Sequence, residues 1–296
     1  MRVLMCIPNI SEGRDLRIVE QVVEAVRAVA GVKLVDVSSD ADHNRSVLSY
    51  LGEPERVLEA TRAMAVRALE QIDMRQHKGS HPRLGAVDVV PFVPVRGVEM
   101  EEAVAVARAF GRFVGGLGIP VYYYEEAATR PERVSLPGIR SGEYEGLAQK
   151  LYDPDWQPDE GPAAFHPQSG ALVTGARFPL VAFNVNLRTA DLALAQRIAR
   201  AVRHVSGGYR YVRAMGVALQ EQGMVQVSMN VLNYLKTPLP RVLETIRVEA
   251  ARYGVSVAGS ELIGAVPLGV LEQALTYYLQ AHDFKTEQIV EMALLE

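Results

Sequence analysis

The chain alternates between short apolar runs and longer segments whose apolar positions recur at helical spacing. In residues 16–30 apolar side chains return every three or four positions, and Gly31 is a natural end for such a helix. In the first half this pattern predicts strands at residues 3–7, 32–37, 46–51, 87–93 and 121–124, and helices over residues 16–30, 54–72 and 101–117. A polar turn over residues 38–45 separates the second and third strands. The order is β-α-β-β-α-β, followed by one further helix and strand.

The second half repeats this order of elements. The pattern predicts strands at residues 181–187, 212–219, 225–232 and 255–262, and helices over residues 189–205, 240–253, 268–279 and 285–295. Thr189 is expected to cap the first of these helices, and Gly223 to form the turn of a hairpin. Two β-α-β-β-α-β units favour an α/β (α+β) fold of two ferredoxin-like subdomains, each a sheet with helices on one face. We place these subdomains at residues 1–178 and 179–296.

Composition and charge narrow the class of protein. The 296 residues are 49% hydrophobic, which is ample for a core, and the formal net charge is −4. A mildly acidic chain whose strands lack the aromatic and basic signature used for stacking bases gives little support for a nucleic-acid-binding module. The one cysteine, Cys6, excludes an intramolecular disulfide and fits a reducing compartment. Pro8 ends the N-terminal apolar run too soon for a leader, and no stretch approaches the ~18 apolar residues of a membrane span, so a cytoplasmic protein is expected.

Residues 72–85 form the segment richest in reactive side chains. They hold His77 and His81 among three cations and two glycines, in a stretch that fits neither a helix nor a strand. A histidine held extended by the following Pro82 can act as general base and acid, with an unperturbed pKa of about 6.5. The alternative is a surface histidine bonded to a loop carbonyl. The spacing of the two histidines also permits a metal site, but Gly79 and Pro82 argue against the helix that such a pair needs, and no metal is expected.

A proline-rich segment over residues 153–170 lies between the two halves. Its prolines exclude regular structure over most of its length, which is typical of an interdomain linker. It also holds Trp156, Phe165 and His166, for which a solvated linker has little use. A loop that grips a ligand is therefore an equal alternative.

Three other features have both a functional and a structural explanation. Arg45 and Arg83 could each clamp a carboxylate, although most arginines form surface ion pairs. The loop of residues 9–14 could offer N–H groups to an anion at a helix start, or simply cap that helix. Cys6 ends an apolar strand, which favours a buried thiol over a nucleophile.

Eight segments, spread in order along the chain, resemble the glutamate formimidoyltransferases, the formiminotransferase part of the formimidoyltransferase-cyclodeaminases. They are residues 6–14, 72–85, 88–95, 142–146, 161–170, 181–187, 226–230 and 259–262. The resemblance implies transfer of the formimino group from N-formimino-L-glutamate to N5 of tetrahydrofolate, a co-substrate, in histidine degradation and without a metal. It also implies a homodimer and, because the chain has no room for a cyclodeaminase domain, a separate cyclodeaminase downstream.

The resemblance also assigns site residues. The family's H-P-R-(M/L)-G motif carries the catalytic histidine, and His81 stands at that position. The family's folate-binding loop has the form G-P-x-x-F-x-P-x-x-G. It corresponds here to Gly161, Pro162, Ala163, Ala164, Phe165, His166, Pro167, Gln168, Ser169 and Gly170.

Two departures from the family pattern bear on the donor. Ser38 and Ser80 stand where the family commonly has acidic residues, and Ser80 directly precedes the catalytic position. If an acid orients His81, Asp40 or Asp42 is expected to take that part. The alternative function keeps the folate and changes the donor to a formyl or formimino group on another small amine.

Overall fold

The strands of the two halves form two separate sheets. The computed structural model describes residues 2–290, and the chain divides into two units, Met1–Arg177 and Phe178–Glu296. The strands of the first unit are β1 (Val3–Cys6), β2 (Asn9–Ile10), β3 (Val32–Asp40), β4 (Arg45–Gly52), β5 (Val87–Arg96), β6 (Val121–Glu125) and β7 (Leu172–Ala176). Its helices are α1 (Leu16–Arg27), α2 (Pro54–Gln71), α3 (Met100–Gly116), α4 (Leu136–Arg140) and α5 (Glu143–Lys150).

The first unit is built on one sheet in which β1 and β2 share the position between β4 and β5. The order is β3, β4, β1 with β2, β5, β7 and β6. Pro8 separates β1 from β2 because it has no N–H to give to a ladder. Strands β1 to β5 pair antiparallel with one another, whereas β7 runs parallel to both β5 and β6. The result is a ferredoxin-like sheet extended by two strands.

Helices pack on both faces of this first sheet. On one face α1, α2 and α3 bury Val22, Met64 and Phe110 against the strands. On the opposite face, over β5, β7 and β6, the short helices α4 and α5 bury Ile139 and Leu147. This second, smaller layer carries several side chains of the candidate site described below.

The second unit is a four-stranded antiparallel sheet with its main helices on one face. Its elements are β8 (Val181–Leu187), α6 (Leu192–Val202), β9 (Val212–Leu219), β10 (Met224–Val231), α7 (Leu239–Ala251), β11 (Val257–Ile263) and α8 (Leu268–Ala274). The strand order β11-β8-β10-β9 is that of a ferredoxin-like layer. Ile198 of α6 and Ile246 of α7 are buried in the same core as the strands. The predicted fold class is confirmed.

Two predicted boundaries in regular structure were wrong. The polar turn between β3 and β4 is shorter than expected, because β3 continues to Asp40 and pairs with β4 as far as Arg45. Helix α6 begins after Asp191, whose side chain accepts a hydrogen bond from the Leu194 N–H. Thr189 is therefore not the cap of that helix.

The C-terminal helices are also shorter than predicted. The helix expected over residues 268–279 is α-helical to Ala274 and continues as a π-helical turn, Leu275–Leu279. Of the helix expected over residues 285–295, the described part holds a 3₁₀ turn at Thr286–Gln288, and residues 291–295 lie outside the described residues. Among residues 2–290, no helix is both long enough and apolar enough to cross a membrane.

The proline-rich segment folds within the first unit. It contains one 3₁₀ turn, Pro154–Trp156, and the Val121 N–H donates to the Glu160 carbonyl at 2.9 Å. It leads into β7, a strand that the sequence pattern did not predict and that lies inside the first sheet. The segment therefore connects α5 to β7 of one unit, and the linker interpretation was wrong.

Candidate active site

The turn between β3 and β4 is held between two loops that approach its backbone closely. A Cβ on Gly13, in the loop before α1, would lie 2.4 Å from the Asp40 carbonyl oxygen. A Cβ on Gly79, in the histidine-rich loop, would lie 2.2 Å from the carbonyl oxygen of His43. Asn44 bridges the two loops, because its side chain accepts from the Gly13 N–H at 3.0 Å and donates to the Lys78 carbonyl at 3.2 Å. Glycine at both contacts allows this packing.

The histidine-rich loop is also bonded to the end of the proline-rich segment. Gly85 and Gly170 form a β-bridge, and the Ala86 N–H donates to the Ser169 carbonyl at 2.9 Å. Near the start of the histidine-rich loop, the Met74 N–H donates to the Gln168 carbonyl at 2.8 Å. The two segments that the sequence analysis singled out for different reasons therefore lie side by side.

His81 lies in this assembly with one ring nitrogen bonded to an arginine. The Arg45 guanidinium donates to Nε2 of His81. Because arginine does not release its proton, Nε2 is the acceptor and Nδ1 carries the ring hydrogen. Nδ1 is buried and has no hydrogen-bond partner among the described residues. His43 packs edge-on against the ring, with 5.9 Å between the ring centroids.

The surroundings of His81 favour its neutral form. Burial, and then the neighbouring cations Arg45 and Arg140, lower the pKa of His81 to about 4. Arg140, from α4, forms an ion pair with Asp88, a β5 carboxylate that is 1% exposed. Asp88 also accepts a hydrogen bond from the Leu84 N–H at 2.8 Å, which holds the end of the histidine-rich loop. The value of 6.5 taken from the sequence alone does not apply to His81 in this setting.

Neither of the acids expected to orient His81 reaches it. Asp40 pairs with His43, at 2.8 Å between Oδ2 and Nδ1. The backbone carbonyl of Asp42 accepts two hydrogen bonds from Ser80, one from the N–H at 3.2 Å and one from the hydroxyl at 3.3 Å. The hydrogen bonds of His81 therefore include neither carboxylate, and the side chain of Asp40 is engaged at the tip of the turn.

His77 has a different environment from His81. Its Nε2 bonds the Asn44 carbonyl at 2.9 Å, and its Nδ1 accepts from Arg83 at 3.2 Å. Burial lowers the pKa of His77. Both ring nitrogens are therefore used within the protein, and no group of three or more histidine, cysteine or acidic side chains within residues 2–290 is arranged to hold a metal ion.

Arg83 is bound by two carboxylates that sequence reasoning missed. It pairs with Glu145 at 2.6 Å and with Glu143 at 3.0 Å, and its side chain is 8% exposed. Both acids come from α5, whose short sequence has no periodic signal, although they lie within the matched segment 142–146. With His77 and Gly79, these side chains border a cavity of about 540 Å³.

The loop matched to the family's folate motif is anchored at its C-terminal end and exposed at its start. Residues 161–164 are exposed, whereas Ser169 and Gly170 are buried. The Phe165 ring packs against Tyr144, with 5.3 Å between the ring centroids, and the Tyr144 hydroxyl donates to the Pro167 carbonyl. Gln168 and Ser169, together with His166, border a second cavity of about 290 Å³.

Two other candidates from the sequence have structural roles. Cys6 is fully buried, and burial raises the pKa of its thiol to about 12, so it is not a nucleophile at neutral pH. In the loop before α1, the Glu12 carboxylate accepts from the N–H groups of Arg14 and Asp15 at 2.8 and 2.9 Å. The protein's own carboxylate thus occupies the donors that an external anion would need.

Comparison with known proteins gives matches to both units. The family model for the formiminotransferase domain, N-terminal subdomain, matches residues 3–177, and the model for the formiminotransferase domain matches residues 182–295. The chain is 45% identical to glutamate formimidoyltransferase of Streptococcus pyogenes serotype M1, over 99% of each chain. It is 44% identical to the protein of the same name from Thermoplasma acidophilum, over 98% of this chain and 97% of the relative. Formimidoyltransferase-cyclodeaminase of Rattus norvegicus is 44% identical over 92% of this chain and 52% of its own length.

Proposed function

The chain belongs to the formiminotransferase family, and on this premise we propose that it transfers the formimino group of N-formimino-L-glutamate to N5 of tetrahydrofolate. The products are 5-formimidoyltetrahydrofolate and L-glutamate. Near full-length similarity to relatives named glutamate formimidoyltransferase supports this reaction. In the structure, the observation that carries it is the backbone pairing between Gly85 and Gly170, which sets the loop of His81 beside the loop of residues 161–170.

Residues 161–170 are the proposed binding site for tetrahydrofolate, which acts as a co-substrate. The exposed start of the loop is available to a ligand, and its buried end fixes the loop on the sheet. His166 and Gln168 contribute polar groups to the lining of one cavity, and Leu69 and Ile119 contribute apolar surface to it. A folate carries both an apolar ring system and polar edges, so a cavity with both kinds of lining suits it.

His81 is the proposed general base and acid. The N5 amine attacks the carbon of the protonated amidine, the new N–C bond forms, and the π pair moves to the terminal nitrogen, which becomes a neutral amine. Nε2 of His81 takes the proton that N5 loses. The lone pair of the terminal nitrogen then re-forms the C=N bond as the bond from carbon to the glutamate nitrogen breaks. The proton on His81 passes to that nitrogen, and glutamate leaves as an amine. A lone histidine can serve both steps because proton uptake and release alternate.

Proton transfer alone does not account for catalysis of this reaction. General acid–base help contributes about 10²–10⁴-fold. Holding both substrates in contact contributes more, with effective molarities of about 10⁵–10⁸ M for well-oriented partners. Most of the rate is therefore expected to depend on how firmly the two loops hold the folate and the donor.

The test is a steady-state assay with tetrahydrofolate and formiminoglutamate, followed by the absorbance change of the folate. The His81→Ala variant is expected to lose at least about a hundredfold in kcat. His204→Ala, a change at an exposed histidine of the second unit, serves as the control and is expected to keep full activity. Full activity of His81→Ala would remove His81 from the mechanism, and no turnover by the parent would overturn the reaction itself.

A second candidate donor is favoured by one observation. Ser38 and Ser80 are neutral where the family commonly has acids, and Ser80 hydrogen-bonds to the Asp42 carbonyl through both its N–H and its hydroxyl. A formyl or formimino group on another small amine is the alternative. Comparing donors at fixed tetrahydrofolate decides between the two, since the preferred donor has the highest kcat/KM.

The cellular setting follows from the same proposal. We place the reaction in histidine degradation in the cytoplasm, with the product passing to a separate cyclodeaminase. The active form is proposed to be a homodimer. Light scattering after size-exclusion chromatography tests this directly, because a mass near 32.4 kDa would indicate a monomer and contradict it.

A further inference from the structure

Arg45 and Arg83 are both arginines beside the histidines, but only one of them is charge-matched by the protein. Arg83 pairs with Glu143 and Glu145. Arg45 is half-buried, and among residues 2–290 no carboxylate lies within ion-pair distance of it. Its guanidinium instead donates to the neutral ring of His81. A half-buried cation with no carboxylate in direct contact is costly, so the site favours an anion from outside the protein.

A second arginine strengthens this preference. Arg140 lies near enough to Arg45 for their charges to repel, and its Nε is buried without a hydrogen-bond partner among the described residues. The buried carboxylate of Asp88 pairs directly with Arg140, while the carboxylate of Asp40 bonds to His43. Both carboxylates attract Arg45 from beyond ion-pair distance, so among the described residues its guanidinium has no direct carboxylate partner.

We propose that Arg45, supported by Arg140, binds the α-carboxylate of the amino-acid donor beside His81. This inference rests on the proposed function for the identity of the donor. In formiminoglutamate the α-carboxylate and the nitrogen that leaves are attached to the same carbon. A carboxylate held by Arg45 therefore brings the leaving nitrogen next to the ring that must protonate it. The carboxylates of the folate are at the far end of its p-aminobenzoyl group, away from N5, so they do not reach His81 while N5 reacts.

The proposal also explains how His81 becomes available as a base. In the structure the lone pair of Nε2, which must take the N5 proton, is occupied by Arg45. A carboxylate is a stronger acceptor for a guanidinium than a neutral imidazole, because both partners are charged and the pairing can be bidentate. Binding of the donor thus draws Arg45 away from Nε2 and frees the lone pair only when the donor is in place.

The main experiment compares donors in the Arg45→Met variant, which keeps the apolar stem and removes the charge. With formiminoglutamate, KM is expected to rise by about ten- to a hundredfold, the range for loss of a charge-assisted hydrogen bond. N-formimino-4-aminobutyrate lacks the α-carboxylate, so parent and variant should share the same, higher KM for it. N-formimino-2-aminobutyrate keeps the α-carboxylate and lacks the side-chain one, so it should retain the difference.

Arg75→Met is the matched control. Arg75 lies in the same loop as His81, is exposed, and pairs with Asp73 at 2.6 Å. It is expected to leave KM for every donor unchanged. If Arg45→Met instead raised KM for tetrahydrofolate alone, a folate carboxylate would be the ligand of Arg45 and the proposal would be overturned. An unchanged KM for formiminoglutamate would overturn it as well.

Of two further measurements, the first does not use the variant and the second does not require turnover. In the parent protein, KM for the donor that lacks the α-carboxylate should be at least tenfold above that for formiminoglutamate. Calorimetric titration with L-glutamate should show binding in the parent and about tenfold weaker binding in Arg45→Met. Glutamate binding that depends on Arg45, without turnover of formiminoglutamate, would keep this site and reject the proposed reaction. Turnover with glutamate binding independent of Arg45 would do the reverse.

Discussion

Replacing Gly79 with alanine is expected to remove most of the activity while the chain still folds. Gly79 lies two residues before His81, at the point where the histidine-rich loop crosses the β3–β4 turn. A Cβ at this position would stand 2.2 Å from the carbonyl oxygen of His43 and 3.0 Å from Cβ of Asn44. Because the first of these contacts is with backbone, no side-chain rotation can relieve it, and the loop itself has to move.

The size of that movement follows from the contact. To bring the Cβ even to 3.0 Å from the His43 oxygen, the loop must retreat by roughly 0.8 Å, and a misplacement of about 1 Å can cost a hundredfold in rate. We therefore expect kcat/KM to fall by roughly 30- to 100-fold. The overpacking should cost about 1–3 kcal/mol of unfolding free energy, which is less than the stability of about 5–15 kcal/mol of a typical folded domain.

Gly146→Ala provides the control. Gly146 lies in α5, where a Cβ would meet nothing within 4 Å, so alanine should raise helix stability by up to about 1 kcal/mol and leave the activity intact. Steady-state kinetics and urea unfolding are measured on both variants. A kcat/KM for Gly79→Ala within threefold of the parent would show that this packing does not position His81. Loss of the urea transition would show that Gly79 supports the fold rather than the site.

Three further predictions concern a thiol, a pH profile and a buried ion pair. Cys6 should not react with a thiol reagent in the native protein and should react once per chain in denaturant, because it is buried with its pKa raised to about 12. Since a base must be deprotonated and the pKa of His81 is lowered to about 4, kcat/KM should show no inflection attributable to His81 near pH 6.5. In Arg45→Met the loss of the neighbouring positive charge should raise the pKa of His81, so its inflection should move up toward pH 6.5. Arg133→Met should lower the unfolding free energy by about 3–5 kcal/mol in urea, because it leaves the carboxylate of Asp159 buried without its partner.

Periodicity was sufficient to predict most of the regular structure, and it failed where contacts distant in sequence decide. Strand β7 is short, contains Gly175 and is buried on both faces, so it carries no alternation that would mark it as a strand. Helices α4 and α5 have five and eight residues, too few for a periodic signal. The cap of α6 was misplaced because Thr189 and Asp191 are both capping residues, and only the backbone geometry distinguishes them.

The candidate site was predictable as a set of loops but not as a set of charges. The residues of 72–85 and 161–170 stand out by composition and by resemblance, and the structure brings these loops together. The sequence could not predict which of the arginines is paired with a carboxylate. Arg45 and Arg83 both lie among polar loop residues in the sequence. They differ because α5 places Glu143 and Glu145 beside Arg83, whereas neither of these acids pairs with Arg45.

That difference in charge bears on the choice of donor. Arg75 and Arg83 are matched by acids of their own surroundings, which leaves Arg45 as the half-buried cation without a carboxylate among the described residues near His81. Serine at position 80 adds no negative charge next to it. An amine donor that lacks a carboxylate beside its leaving nitrogen would leave Arg45 on Nε2 of His81, and the base would stay occupied. Ser38 and Ser80 add no negative charge, so the positive charge of Arg45 stays available for a ligand. An α-amino acid derivative needs that charge to bind its α-carboxylate, and the two serines therefore favour such a donor.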